Sequence, residues 1–253
     1  MKTIYKNISS FFVSISFVSL SFVSLMLLLT MSSTTVAADL SGFWMVKFER
    51  EPSGQALFDA IPEEAVFIND AGAGELGEGD YSGLVLSDSA KEEVANYDFA
   101  REFDRENTCV DPSVAFYMQA PFPIEIHQSS EFIVFKMEYY DMFRMIFMDG
   151  RKIPDNAPHT KSGYSVGHWE GDDLVVITEK ISSATFMNNG FDHSDNLKMT
   201  ERFRVSDDGQ ILWMIQMYED PEVFSGTAAR YMAWGKQEGE FVYPYECDPS
   251  FGN

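Results

Sequence analysis

Residues 197–205 alternate strictly between two faces, and this alternation constrains the fold more than any other feature of the chain. One face carries four polar residues, while the other is apolar apart from a single carboxylate, Glu201. A period of two is typical of a β-strand with one buried face. A carboxylate on such a face must be paired, be protonated or face a cavity. Glu201 is therefore either functional or the partner of a buried cation.

Comparable segments follow one another along the chain, separated by turns and loops that often carry Gly or Asp. The predicted strands are residues 39–48, 65–68, 124–128, 131–139, 142–148, 164–170, 174–180, 197–205, 211–219, 231–236 and 240–245. One short early helix, capped by Ser87 or Ser89, is predicted to run to about residue 100. The pattern predicts an all-β fold of roughly eight to ten antiparallel strands, either a closed barrel or a sandwich.

The first 38 residues differ from the rest of the chain. Lys2 and Lys6 precede an apolar run that only serines interrupt, and residues 36–38 (VAA) form a small-residue cleavage pattern. These features predict a secretory signal peptide cleaved near Ala38, which leaves residues 39–253 as one exported domain, periplasmic or secreted. An uncleaved membrane anchor is the alternative, because about 20 apolar residues can span a bilayer.

Charge and cysteine content limit the partners of the exported chain. Removing residues 1–38 takes away two lysines and no acidic residue, which leaves 16 basic against 40 acidic residues, a net charge of −24. Such a chain repels nucleic acid and anionic membranes, so we expect neither as a partner. Cys109 and Cys247 are predicted to form a disulfide, with two free thiols as the alternative. The oligomeric state stays open.

Glu201 and His193 are the leading candidates for acid–base chemistry. A desolvated carboxylate and a histidine both exchange protons near neutral pH. The structural alternatives are that Arg144 neutralises Glu201 and that His193 caps backbone groups in a loop. For Arg144 itself, a cross-strand ion pair with Glu138 is the favoured prediction. The functional alternative is that Arg144 or Tyr164 stabilises an oxyanion of the substrate.

Residues 163–167 (GYSVG) match the Gly-x-Ser-x-Gly pattern of serine hydrolases. That pattern requires a strand before the serine and a helix after it, whereas here a loop precedes Ser165 and a hairpin follows. A triad of Ser165 with His193 in another fold is kept as an alternative. The acidic and aromatic residues Glu138, Tyr140 and Trp169 are assigned to ligand binding. The four scattered histidines predict no metal site, and no motif predicts a cofactor.

The chain shows two resemblances to known families. Gly42-Phe43-Trp44 is similar to the first-strand signature of lipocalins and related calycins, which favours the barrel. That resemblance implies an arginine on the last strand, for which Arg230 is the candidate.

The chain also resembles a widespread uncharacterised family of exported bacterial proteins. The matching segments are residues 39–44 (DLSGFW), 149–151 (DGR), 163–176 (GYSVGHWEGDDLVV), 193–197 (HSDNL), 200–203 (TERF), 220–221 (DP) and 245–247 (YEC). The resemblance implies motif positions and no reaction, because the family has no settled activity. Residues 178–182 (TEKIS) depart from the Asp-Thr and Gly-Phe-Asn-Asp-like stretch typical of the family.

The residues favour one function over two alternatives. The first is a cofactor-independent isomerase, cyclase or lyase that acts on a small apolar-bodied molecule in a barrel cavity. His193 and Glu201 would exchange protons while Arg144 or Tyr164 holds the oxyanion. The second is a non-catalytic, lipocalin-like binder of a small hydrophobic ligand. The third is a hydrolase that depends on Ser165.

Overall fold

The computed structural model describes residues 38–47, 55–70, 76–77, 79–98 and 109–252. They all belong to the structural unit Thr35–Asn253. Residues 1–37, nearly all of the predicted signal peptide, lie outside the described residues. In the described part of the chain, no helix is both long and apolar enough to cross a bilayer.

Strands dominate the described residues. In chain order they are β1 (Gly42–Lys47), β2 (Val66–Phe67), β3 (Val85–Leu86), β4 (Ile124–Gln128), β5 (Phe132–Met137), β6 (Phe143–Phe147), β7 (Tyr164–Glu170), β8 (Asp173–Glu179), β9 (Ala184–Met187), β10 (Phe191–His193), β11 (Lys198–Val205), β12 (Ile211–Glu219), β13 (Phe224–Ser225) and β14 (Ala228–Gln237). Most of the longer strands coincide with the alternating segments of the sequence.

Nine strands close into a barrel in the order β1-β4-β5-β6-β7-β8-β11-β12-β14. The circle is completed because β14 pairs with β1, from Gln237 opposite Phe43 to Ala233 opposite Lys47. Closure removes the free edges that an open sheet of this size would expose. The predicted all-β barrel is confirmed, and the sandwich alternative is not formed.

One pair of barrel strands differs from the predicted antiparallel arrangement. β6 and β7 run parallel, with Ile146 opposite Ser165 and Phe147 opposite Val166. Parallel neighbours need a long crossover connection, and residues 148–163 supply it. The prediction of a purely antiparallel barrel was therefore wrong at this pair. The neighbouring hairpin between β7 and β8 is antiparallel, and Gly171, with φ +62°, provides the left-handed residue of its turn.

In the described part of the chain, three short α-helices accompany the barrel: α1 (Gln55–Phe58), α2 (Asp88–Ala95) and α3 (Val114–Tyr117). The predicted helix is α2, and its N-cap is Ser87, whose hydroxyl accepts a hydrogen bond from the Ala90 amide at 3.1 Å. It ends earlier than predicted because the Asn96 side chain bonds the Glu92 carbonyl at 2.7 Å. The sequence predicts a loop or a short helix for residues 49–64, which contain α1, and it does not predict α3.

The sequence-based assignment also missed the paired strands β3 and β13 and failed at two longer segments. The predicted loop between β8 and β11 contains the hairpin of β9 and β10. Residues 240–245, predicted to be a strand, form none. Instead this tail lies against the turn at Tyr139–Asp141, where Tyr245 stacks on Tyr140 with ring centroids 4.9 Å apart.

The barrel interior is filled by side chains. Trp44, Phe135, Phe203 and Trp234 are inaccessible to solvent, as are most of the aliphatic residues on the same inner faces. Trp44 also donates a hydrogen bond from Nε1 to the Leu40 carbonyl at 2.8 Å. Close packing of this kind leaves the barrel a solid core rather than an open cup.

The basic residue beside Trp44 is not the arginine implied by the lipocalin resemblance. Lys236 lies opposite Trp44 in the β1–β14 register, and its ammonium is 5.2 Å from the Trp44 ring. Arg230 instead forms a bidentate pair with Asp70, with both contacts at 2.7 Å. The cation next to the first-strand tryptophan is therefore a lysine.

The predicted disulfide joins Cys109 and Cys247, with Cα atoms 5.7 Å apart. It ties the segment before α3 to the C-terminal tail across a sequence separation of 138 residues. The Tyr245 amide also donates to Asp141 Oδ1 at 3.0 Å. The disulfide thus fixes two segments that no barrel strand holds.

We expect the double variant Cys109→Ser/Cys247→Ser to lose about 2–5 kcal/mol of unfolding free energy, because its unfolded chain gains the freedom that the disulfide removes. Urea unfolding of oxidised wild type and the variant measures the difference. Reduced wild type is the matched control and should resemble the variant. Equal stability of the three samples would contradict a stabilising disulfide.

Candidate functional site

Polar side chains form a continuous layer across the barrel near the end covered by α3. Each lies on the inner face of a barrel strand, and the strands are consecutive neighbours. We call this set the polar layer: Arg144 on β6, Ser165 on β7, Thr178 on β8, Glu201 on β11, Gln216 on β12 and Arg230 on β14. None is more than 1% exposed. Six buried polar residues in one layer require mutual hydrogen bonds.

The centre of the polar layer is an ion pair between Arg144 and Glu201. Arg144 Nη1 donates to Glu201 Oε1 at 3.0 Å, and Nη2 donates to Oε2. The remaining guanidinium donors reach Ser165 Oγ at 3.1 Å and Thr178 Oγ1 at 2.7 Å. Burial acts to lower the pKa of Arg144, but the adjacent Glu201 carboxylate raises it. The guanidinium therefore stays charged, and each of its three nitrogens donates at least one hydrogen bond.

Glu201 extends the network toward α3. Gln216, opposite Glu201 in the β11–β12 register, donates from Nε2 to Glu201 Oε1 at 2.8 Å. The Gln216 carbonyl oxygen accepts from the Tyr218 hydroxyl at 2.7 Å and from Gln119 Nε2. Gln119 follows α3 and is 4% exposed. The chain of hydrogen bonds thus runs from the barrel core to Gln119 beside α3.

The favoured cross-strand pair of Arg144 with Glu138 was wrong. The β5–β6 register places Arg144 opposite Phe135 on an inward face. Glu138 precedes the turn at Tyr139–Asp141, and its Oε2 accepts from the Tyr243 amide at 3.3 Å. Glu201, the alternative partner of Arg144, is the one that the structure shows.

His193 belongs to a different network from Glu201. Its Nδ1 faces the Ser194 carbonyl at 2.9 Å, and its Nε2 lies 2.7 Å from Ser113 Oγ. A carbonyl only accepts, so Nδ1 carries the proton and the Ser113 hydroxyl donates to Nε2. Burial lowers the pKa of His193, which keeps the ring neutral. The sequence pattern did not reveal Ser113, because it caps α3, a helix too short to show periodicity.

The remaining sequence-predicted residues occupy separate places. The Ser165 hydroxyl is 1% exposed and lies 2.9 Å from Thr178 Oγ1, and the described histidines do not contact it. Tyr164 points to the outer face, where it stacks on Phe147 with centroids 5.1 Å apart. Trp169 lines a depression of about 450 Å³ toward the other end of β7. Tyr140 alone of these residues borders the covered end of the barrel.

Two adjacent hollows lie where α3 meets the β9–β10 hairpin. The inner pocket, about 170 Å³, is bordered by Asp70, Phe116, Gln119, Ala120, Pro121, Phe122, Tyr139 and Asn188. The outer groove, about 640 Å³, shares Phe116, Tyr139 and Asn188 with the pocket and adds mainly polar residues, among them Glu93, Asp98, Asp111, Lys161 and Asp192. We call the two together the mouth cleft. Its walls come from segments far apart in sequence.

The inner pocket combines aromatic walls with an acceptor that lacks a partner. Phe116, Phe122 and Tyr139 supply the rings, and Phe122 stacks on Tyr139 with centroids 4.8 Å apart. Gln119 Oε1 is buried and has no hydrogen-bond partner among the described residues. A buried unpaired carbonyl oxygen costs free energy, so it calls for an explanation such as a bound ligand.

The outer groove holds two carboxyl groups with altered acidity. Burial raises the pKa of Glu93, and the nearby Asp192 carboxyl raises it further. Burial also raises the pKa of Asp192, against the opposing effect of Lys161. Perturbed carboxyl groups in a cleft are a common property of functional sites. The described residues contain no group of three His, Cys, Asp or Glu side chains able to hold a metal ion.

Comparison with known proteins adds no function to this geometry. No family model matches the chain, and no curated protein is significantly similar to it. The resemblance to an exported bacterial family therefore stays a prediction from its motifs.

The first site prediction concerns the buried pair. We expect Arg144→Met to lower the free energy of unfolding by roughly 3–5 kcal/mol, because it leaves Glu201 buried without its cation. The double variant Arg144→Met/Glu201→Leu should recover most of this loss. Urea denaturation measures both, and Arg151→Met, at an exposed pair with Asp149, is the control expected to change little. A double variant no more stable than Arg144→Met would contradict the pairing.

The second site prediction concerns His193 and pH. The folded protein binds a proton at His193 less readily than the unfolded chain, whose histidine has a pKa of about 6.5. The neutral ring therefore contributes its full stabilisation when the pH is above the pKa of the unfolded chain. This contribution decreases as the pH falls below that pKa, by at most about 1.4 kcal/mol per pH unit. The unfolding free energy of the His193→Gln variant should lack this pH-dependent contribution. Unfolding free energies of both proteins between pH 7.5 and pH 5 test it, and parallel curves would refute it.

Proposed function

We propose that this protein is an exported binder of a small, apolar-bodied molecule, and that the ligand occupies the mouth cleft. The observation that carries the proposal is Gln119 Oε1, a buried acceptor without a partner among the described residues, at an aromatic pocket. Ligand sites are concave, mostly apolar and equipped with a few fixed polar groups. The inner pocket has this composition.

The size of the inner pocket supports a ligand with one ring. A volume of 170 Å³ is similar to the engineered cavity of about 150 Å³ that takes up benzene. The barrel interior offers less support, because its inward residues pack against one another and the polar layer apart from Arg230 is bonded within itself. The proposed site therefore lies at the mouth of the barrel rather than in its lumen.

Export is supported by two observations of different kinds. The disulfide between Cys109 and Cys247 is typical of proteins in oxidising compartments. The amino-terminal residues carry the composition of a signal peptide, with two lysines before a long apolar run.

A second candidate function is acid–base catalysis in the same cleft by an isomerase, cyclase or lyase. The observation that favours it is the pair of carboxyl groups Glu93 and Asp192, whose raised pKa values bring proton exchange closer to neutral pH. Lys161 borders the same groove. In this version Asp192 and Glu93 take the roles assigned to His193 and Glu201 from the sequence. The geometry lends no support to a hydrolase based on Ser165, whose hydroxyl is bonded within the polar layer.

The binding site is tested by filling the inner pocket. Ala120 borders it and is 5% exposed. We expect Ala120→Phe to abolish binding of single-ring fragments that wild type binds in ligand-observed NMR. Ile177→Phe, on the outer face of β8, is the matched control and should bind as wild type does. If Ala120→Phe does not fold, the smaller substitution Ala120→Val replaces it in the binding test.

Fragment binding that survives Ala120→Phe would contradict the proposed site. The same samples decide between the two functions. Mass spectrometry recovers the fragments unchanged if the protein is a binder, whereas an enzyme converts one of them, and Asp192→Asn should then stop the conversion.

A further inference from the structure

The orientation of the Gln119 side chain follows from the buried ion pair by a chain of hydrogen bonds. Glu201 bound to Arg144 is an acceptor only, so Gln216 must present its amide NH₂ group to Glu201. The Gln216 carbonyl oxygen then faces Gln119, which must in turn present its own NH₂ group. This leaves Gln119 Oε1 as the atom without a partner among the described residues. Because Gln119 borders the inner pocket, a ligand there would satisfy this acceptor with a donor group.

The outer groove has an excess of negative charge. Among the described residues that line it, the acidic residues Glu93, Asp111 and Asp192 outnumber the basic residue Lys161. The Lys161 ammonium already donates a hydrogen bond to the Ser183 carbonyl at 2.8 Å. Glu93 on α2 and Asp192 on β10 line the same groove, and these two elements pack against each other, so their like charges repel. A bound cation would relieve this repulsion.

Aromatic rings line both parts of the cleft. Tyr139 borders both the inner pocket and the outer groove, and Tyr140 borders the groove beside it. The rings of Tyr139 and Tyr140 meet edge to face at 4.7 Å, and Tyr245 stacks on Tyr140. Electron-rich ring faces attract organic cations, especially where water is partly excluded.

We propose that the mouth cleft is selective for arylalkylamines with one ring, bound as ammonium ions, with a hydrogen-bond donor on the ring. The ring occupies the inner pocket, its donor bonds Gln119 Oε1, and the ammonium group lies in the acidic outer groove. This inference rests on the proposed binding function and specifies its ligand class. The carboxylates exclude anionic analogues of the same shape.

Four probes of nearly equal size test the inference. Tyramine carries the ring hydroxyl and the ammonium group, phenethylamine lacks the hydroxyl, 2-(4-hydroxyphenyl)ethanol is uncharged, and 3-(4-hydroxyphenyl)propionate is anionic. Calorimetric titration at low salt, where the groove charge is least screened, should rank tyramine tightest and the anion weakest. Loss of the ring hydroxyl should weaken binding about tenfold, as expected for one hydrogen bond.

Paired variants separate charge from shape. The double variant Glu93→Gln/Asp192→Asn should bind tyramine no more tightly than the alcohol. The control Glu92→Gln makes the same change one residue away on α2 and should leave the order of the four affinities unchanged. Gln119→Leu should abolish the advantage of tyramine over phenethylamine.

The outcomes distinguish this inference from the proposed function. Equal affinity of the amine and the alcohol, or failure of every probe to bind, would overturn the inference of an amine ligand. The binding cleft itself would still stand if other single-ring fragments bound wild type and not Ala120→Phe. Tyramine binding that Ala120→Phe leaves unchanged would overturn the cleft and the inference together.

Discussion

The ion pair of Arg144 and Glu201 is the interaction on which the rest of the site depends. Two charges are removed from water at the covered end of a packed barrel, and their mutual attraction must offset a desolvation cost of several kcal/mol per ion. It does so with bidentate geometry and with further hydrogen bonds to Ser165 and Thr178. Four strands are thereby fixed relative to one another at the level of the polar layer.

The same pair sets the hydrogen-bond polarity of the barrel mouth. A carboxylate that can only accept orients Gln216, and Gln216 orients Gln119. A charge deep in the core thus determines which atom of Gln119 is left without a hydrogen-bond partner among the described residues. An apolar replacement of the pair could keep the barrel folded, yet it would release both amides to rotate. The buried charges therefore give specificity to the mouth of the barrel, where a well-packed apolar core would give only stability.

Local patterns in the sequence predicted a large part of the fold. Residues that are neighbours in the sequence determine the strand alternation, the Ser87 cap and the inward position of Glu201. The strands and side chains that pair with one another are far apart in the sequence. Whether β6 lies parallel to β7, and whether Arg144 meets Glu138 or Glu201, depends on register across the sheet, which no short segment encodes.

The mouth cleft escaped prediction for a related reason. Glu93 and Asp192 are about a hundred positions apart, and neither segment shows a recognisable motif. Ser113 and Gln119 flank a helix of four residues, which is too short for a periodic pattern. The sequence identified His193 as unusual, but its hydrogen bond to Ser113 exists only once α3 covers the barrel. A site whose residues come together only when the fold closes is the feature that is hardest to predict from a single sequence.

The most direct test of the proposed cleft is NMR of the side-chain amides in protein labelled with ¹⁵N-glutamine, titrated with tyramine. Gln119 borders the proposed site, whereas Gln128 lies at the other mouth of the barrel, bonded to the Ala38 carbonyl at 2.9 Å. We expect the Gln119 resonances to shift with saturation, the Gln216 resonances to follow through their shared hydrogen bond, and those of Gln128 to stay in place. Unchanged Gln119 resonances at tyramine concentrations that saturate its binding in calorimetry, or a shift confined to Gln128, would contradict the proposed cleft.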